Sequence, residues 1–150
     1  MGLTSNQEAA NGWTDEKIVG YDDFSIANIG VIADSTAYTF TYTIPLGSVV
    51  HNCGAELVTA FKDSGGGAQL NVIVGDGADD NGYLATAALH DSQTEITQVI
   101  NTGALLATAS KAYAAADTID IKFSISGAAY TVNELTEGRV KFKFTMFTVK

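Results

Sequence analysis

From Tyr38 to Ile44 the chain alternates without a break, with Tyr38, Phe40, Tyr42 and Ile44 in one phase and Thr39, Thr41 and Thr43 in the other. A period of two is that of a strand with one face buried and one in water, so a strand is predicted here. The same period places Ile119, Ile121, Phe123 and Ile125 opposite Asp120, Lys122 and Ser124, and Val140, Phe142, Phe144 and Met146 opposite Lys141, Lys143 and Thr145. Leu70, Val72 and Val74 supply another inward face, with Gln69, Asn71 and Ile73 on the other side. Val49 and Val50, then Leu57, Thr59 and Phe61, extend the pattern, and residues 83–89 re-enter it more weakly.

Turn residues separate these segments. Pro45, the single proline, has no N–H for a ladder and belongs where pairing stops, and Gly47 allows the chain to turn. Ser64-Gly65-Gly66-Gly67 and the stretch from Gly75 to Gly82 read as loops, and Leu135 to Gly138 as the approach to a turn. Asp22 to Ile32 reads as a strand pair, or a strand with a turn near Asn28 and Gly30. Between residues 102 and 116, Leu105, Ala109, Ala112, Tyr113 and Ala116 have helical spacing, but Thr102, Gly103 and Thr108 interrupt it; a short helix, an irregular loop or a strand would fit.

About eight strands with short glycine-rich connections make an all-β protein, an antiparallel β-sandwich or jelly roll. Strands do not alternate with helices, which disfavours a parallel sheet. Residues 1–16 are polar apart from Trp13 and read as an extended N-terminal arm, and residues 17–150 as a single sandwich domain.

Composition agrees with that picture. A chain of 150 residues, 46% of them hydrophobic, can bury a core without disulfides. The lone Cys53 cannot form an internal disulfide and suits a reducing compartment. No basic cluster leads into an apolar run at the start, and no apolar stretch is long enough to span a bilayer, so neither secretion nor a membrane is expected. A net charge of -9 repels nucleic acid and anionic lipid. The charge is uneven: residues 1–100 hold 13 acids and 2 bases (net -11), and residues 101–150 hold 4 acids and 6 bases (net +2).

Candidate chemistry is sparse. Asp76, Asp79, Asp80 and Asn81 suggest a cation loop, but Ala78, Asn81 and Ala87 stand where an EF-hand needs its third, sixth and twelfth residues, so a solvated turn is the plainer reading. His51 and Cys53, two apart, would share a strand face, yet His90 is the only other soft ligand, too few for a four-ligand zinc site. A buried thiol and a rim histidine are expected instead. The glycine runs match neither a phosphate loop nor a dinucleotide fingerprint. No catalytic, cofactor-binding or metal-ligating residue emerges, and no enzyme is expected.

The last strand stands out. Arg139, Lys141 and Lys143 are followed, in the same phase, by Phe147 and Val149, so its end is apolar on both faces and requires cover by a bulge or by a subunit contact.

Two blocks carry a family resemblance. Residues 43–50 (TIPLGSVV), 58–61 (VTAF), 74–77 (VGDG) and 80–84 (DNGYL) form one, and residues 113–121 (YAAADTIDI) with 135–140 (LTEGRV) the other. In order and spacing, across about residues 38 to 150, they resemble the head decoration, or cement, proteins of tailed bacteriophages. The resemblance implies a jelly-roll-like virion protein, made in the host cytoplasm, that binds the major capsid protein on the outside of the assembled head. It also implies a homo-oligomer, a trimer in preference to a dimer. Trp13 in the arm, with Arg139, Lys141, Lys143, Phe147 and Val149 in the last strand, are the expected contact residues. A receptor- or carbohydrate-binding module of a tail or head fibre is the other reading; it would call for loop tryptophans, and Trp13 is the only tryptophan.

Overall fold

The computed structural model describes residues 13–33, 37–65, 69–90, 99–100, 102–107, 110–126 and 131–149, with the backbone alone for residues 13–15, 99–100 and 126. The strands are β1 (Trp13–Gly20), β2 (Tyr38–Ile44), β3 (Ser48–Asp63), β4 (Gln69–Gly75), β5 (Leu84–Ala88), β6 (Val99–Ile100), β7 (Lys111–Ala112), β8 (Asp117–Ser126) and β9 (Leu135–Thr148). One sheet has the order β1-β9-β3-β6, with β7 also on β3, and the other the order β2-β8-β4-β5. Every strand pairing is antiparallel.

The pairing scheme is nested. β1 pairs with β9, β2 with β8, β3 with β6 and β7, and β4 with β5, as in one long hairpin rolled over so that its arms fall alternately into two sheets. That is the jelly-roll arrangement of a sandwich, as the strand pattern predicts.

The inward row of β9, from Val140 through Phe142 and Phe144 to Met146, lies against the inward row of β8, from Ile119 to Ile125. Phe123 and Phe142 meet edge to face across the gap at 6.0 Å. Phe24, wholly buried, closes one end against Phe40, Phe61 and Phe123 at 5.7, 6.3 and 5.0 Å. Its segment is where expectation and structure part. Tyr21–Phe24 is a 3-10 turn and Ile26–Ile29 a single α-turn, with no strand between Asp22 and Ile32. Asn133 holds it there: its Oδ1 accepts the Ile32 N–H at 2.8 Å, and its Nδ2 donates to the carbonyls of Phe24 and Gly30 at 2.7 and 3.0 Å.

Two strand starts also differ from expectation. β1 takes in Trp13 to Glu16, assigned above to the arm, because those residues pair with positions 143–146 of β9; residues 1–12 lie outside the described residues. β9 begins at Leu135 rather than after Gly138. Gly138 has φ +136, and a Cβ there would lie 2.2 Å from the Phe61 ring, so the strand continues past this point only because the residue is glycine. The ambiguous stretch resolves into a 3-10 turn at Ala104–Leu106 and the two residues of β7, with residues 108–109 outside the described residues.

Candidate functional site

β9 is the second strand of its sheet, so its outward row has a neighbour on each side. Glu16 of β1 lies opposite Lys143, and Glu56 of β3 lies opposite Lys141. The ion pairs run diagonally, Lys141 to Glu16 at 3.8 Å and Lys143 to Glu56 at 3.4 Å. Lys141 and Lys143 are thus neutralised by their own sheet. Pairs this exposed add about 0–1 kcal/mol to stability. Arg139 is exposed and, among the described residues, has no ion-pair partner. Ile18 at 53% and Val58 at 51% exposure stand near it, since Ile18 faces Lys141 in register and Val58 sits at a bulge of β3 opposite Arg139 and Val140.

The other end of the row is apolar. Phe147 is half-buried, opposite Val49, and its ring lies 4.9 Å from that of His51. A register shift between Val50 and Asn52 puts His51 outside while Cys53 stays wholly buried, so the two do not share a face as the bare spacing suggests. The imidazole Nδ1 is also hydrogen-bonded to the Ser110 hydroxyl. Val149, 62% exposed, donates its N–H to the carbonyl of Gly47 at 2.9 Å, which brings it to the same corner as Leu46, 61% exposed. Gly47 is held at φ +83, and a Cβ there would lie 2.6 Å from the Val149 carbonyl oxygen. Leu46 and Val149, with Phe147 two residues before Val149, therefore make this end of the sheet an apolar corner. Leu46 is not among the expected contact residues, although a large apolar residue between a proline and a glycine is a signal of its own.

Of the expected contact residues, Arg139, Lys141, Lys143 and Phe147 share the outer row of β9, Val149 follows directly, and Trp13 stands in register with Met146 at the same end. The structure thus gathers into one sheet residues taken from both ends of the chain.

The acidic glycine loop departs from the sequence reading. Asp76 is 1% exposed rather than solvated. Its Oδ1 accepts the N–H groups of Ala78 and Asp79 at 3.0 and 2.9 Å, and its Oδ2 accepts the Tyr113 hydroxyl at 2.8 Å. Tyr113 is joined in turn to the Tyr83 hydroxyl. Burial pushes the Tyr83 phenol well above its usual range, with the charges of Asp76, Cys53 and Asp117 adding to it, and burial alone does the same to the Cys53 thiol. The loop packs so closely on Gly103 that a Cβ there would lie 2.3 Å from the Gly82 carbonyl. Asp80 and Asn81 do face solvent, and Asp80 pairs with Lys122 at 3.1 Å. Among the described residues no three His, Cys, Asp or Glu side chains are placed to hold a metal ion, and no helix is long and apolar enough to cross a membrane.

The class the structure defines is a jelly-roll sandwich. Among solved structures, the chain is similar to one from the "Cyanophage Pam1 capsid asymmetric unit", at 16% identity and a TM-score of 0.60, over 93% of this chain and 86% of that one. A chain of the "Acidic stable capsid structure of Helicobacter pylori bacteriophage KHP30" aligns at 11% identity and a TM-score of 0.37, over 91% of this chain and 99% of that one. The first likeness is one of fold. No protein-family model matches the chain, and no curated protein matches it.

Proposed function

We propose that this protein is a structural component of a bacteriophage virion that binds the outside of the assembled head and cements it as a homo-oligomer. The observation that carries the reading is the fold shared, over nearly the whole of both chains, with a chain of a cyanophage capsid asymmetric unit. The sequence blocks that resemble head decoration proteins support it independently. The partner is the major capsid protein, and the action is mass action: a ligand that binds only the assembled shell stabilises that shell against internal pressure and heat. No reaction is required.

The apolar corner of Leu46, Phe147 and Val149 is the surface proposed to meet the shell, with Arg139 and residues 1–12 as further contacts. An arm that orders on binding adds contact area without needing a larger core. The test is co-sedimentation of the purified protein with empty heads. Deleting residues 1–12 is expected to lower head occupancy while the sandwich stays folded by circular dichroism; undiminished occupancy would remove the arm from the reading. If the full chain fails to sediment with heads at all, the cement function itself is wrong.

A further inference from the structure

On one side of the sandwich the edges are β1 in one sheet and β2 in the other. They are built differently. β1 carries Asp15, Glu16 and Lys17 in succession at its middle, the kind of charge that blocks edge-to-edge pairing. β2 has seven residues with no charge and no proline, and it matches β8 at all seven positions without a register shift. Among the described residues no strand pairs with its other edge. The opposite edge of the same sheet, β5, has five residues and a shifted register.

The sequence of β2 is nearly symmetric about Thr41. With a two-fold axis at that residue, an antiparallel copy sets Thr39 against Thr43, Phe40 against Tyr42 and Tyr38 against Ile44. Threonines then meet threonines on the outer face, and large apolar residues meet on the inner one, both favourable cross-strand pairs. Thr39, Thr41 and Thr43 are exposed, and Tyr38 and Phe40 only half-buried, so a second strand would cover surface that one copy leaves open. Residues 1–12 suit this edge less well: Met1 and Leu3 are their only large apolar side chains.

We propose that β2 of one copy pairs antiparallel with β2 of a second copy, joining two four-stranded sheets into one continuous sheet across a two-fold axis. Lys17 supports the edge from the neighbouring sheet, its ammonium 4.1 Å from the centre of the Tyr42 ring. This inference concerns the free protein and is independent of what the protein binds on a virion.

The full chain carrying Thr41→Cys tests it. Its only other thiol, Cys53, is buried. Directly opposed residues of an antiparallel pair have Cα atoms about 4.5–5.5 Å apart, within the range a disulfide spans. Mild oxidation is expected to give a covalent dimer, while the exposed Thr86→Cys on β5 stays unlinked. In light scattering the unmodified protein is expected at twice 15.7 kDa, and Thr41→Asp, which sets two carboxylates against each other at the axis, at half that mass. A mass of one or three copies for the unmodified protein overturns the proposal. So does Thr41→Cys linking no faster than Thr86→Cys, or a folded Thr41→Asp that remains dimeric. If Thr41→Asp does not fold, the cysteine pair decides. Head binding is measured separately: a mass of three copies leaves the cement reading whole, a mass of one removes its oligomer but not its head binding, and failure of head binding leaves the dimer standing.

Discussion

On the outer face of the β1-β9-β3 sheet, charge and apolar surface are laid out in order along one strand, from Arg139 to Val149. On the outer face of the β2-β8-β4-β5 sheet, Thr39, Thr41, Thr43, Thr118, Ser124, Gln69 and Asn71 spread polar groups over three strands around one acid, Asp120, one base, Lys122, and one apolar side chain, Ile73. The inner faces of the two sheets are alike, both filled with Ile, Val, Leu and Phe. Folding therefore constrains the insides, and the outsides are free to differ according to what each must meet. One face grades from charge to an apolar corner, and the other mixes threonines with one acid and one base.

The largest effect should fall on both faces at once. Phe24→Ala removes the ring that closes one end of the core and is expected to cost about 3–5 kcal/mol, read from chemical denaturation. Loss of head binding in this variant should track unfolding, whereas surface variants should separate the two. Asn133→Ala leaves the Ile32 N–H and two carbonyls without their partner and should cost about 1–3 kcal/mol, again with no preference between faces.

Val149→Asp sharpens the contrast. On the apolar corner it should weaken head co-sedimentation about tenfold, equivalent to about 1.4 kcal/mol, with an unchanged melting temperature. Gln69→Asp, exposed on β4 of the other sheet and away from the β2 edge, should leave head binding unaltered, and equal losses from both would dissolve the distinction.

Alkaline pH probes the interior instead. Tyr83 and Cys53 have folded pKa values above their unfolded ones, so the folded state holds these protons more tightly. Their contribution is complete below the unfolded values, about 8.5 for cysteine and about 10 for tyrosine, and is lost as pH rises beyond them, by about 1.4 kcal/mol per pH unit for each group. Tyr83→Phe should flatten the upper part of that fall in a melting series from pH 8 to 11; an identical slope would remove Tyr83 from the account. The smallest effect is at the ion-pair lattice, where Lys143→Gln should change stability by no more than about 0.5 kcal/mol, since both partners are well exposed.

Much of the fold was legible in the sequence. The alternations at Tyr38–Ile44, Ile119–Ile125 and Val140–Met146 mark strands because a period of two can bury one face only in a sheet. Asp22–Ile32 misled because what holds it, the Asn133 side chain, lies about a hundred residues away. Asp76 misled for a similar reason: an aspartate among glycines usually turns to water, and here Tyr113, 37 residues on, receives it in the core. The outer row of β9 was half legible. Phe147 and Val149 broke its alternation of charged and apolar positions, but Leu46 and the two glutamates that neutralise Lys141 and Lys143 came from other parts of the chain.

By itself, then, the sequence determined the strands at Tyr38–Ile44, Ile119–Ile125 and Val140–Met146 and which side of each is buried, because those depend on neighbours one or two residues apart. Only the tertiary structure decided which strands lie side by side, and with them the neutralised lysines, the buried Asp76, the apolar corner and the place of β2 at the end of its sheet. Those features arise from pairings between residues tens to more than a hundred positions apart, such as Trp13 with Met146, which no local pattern encodes.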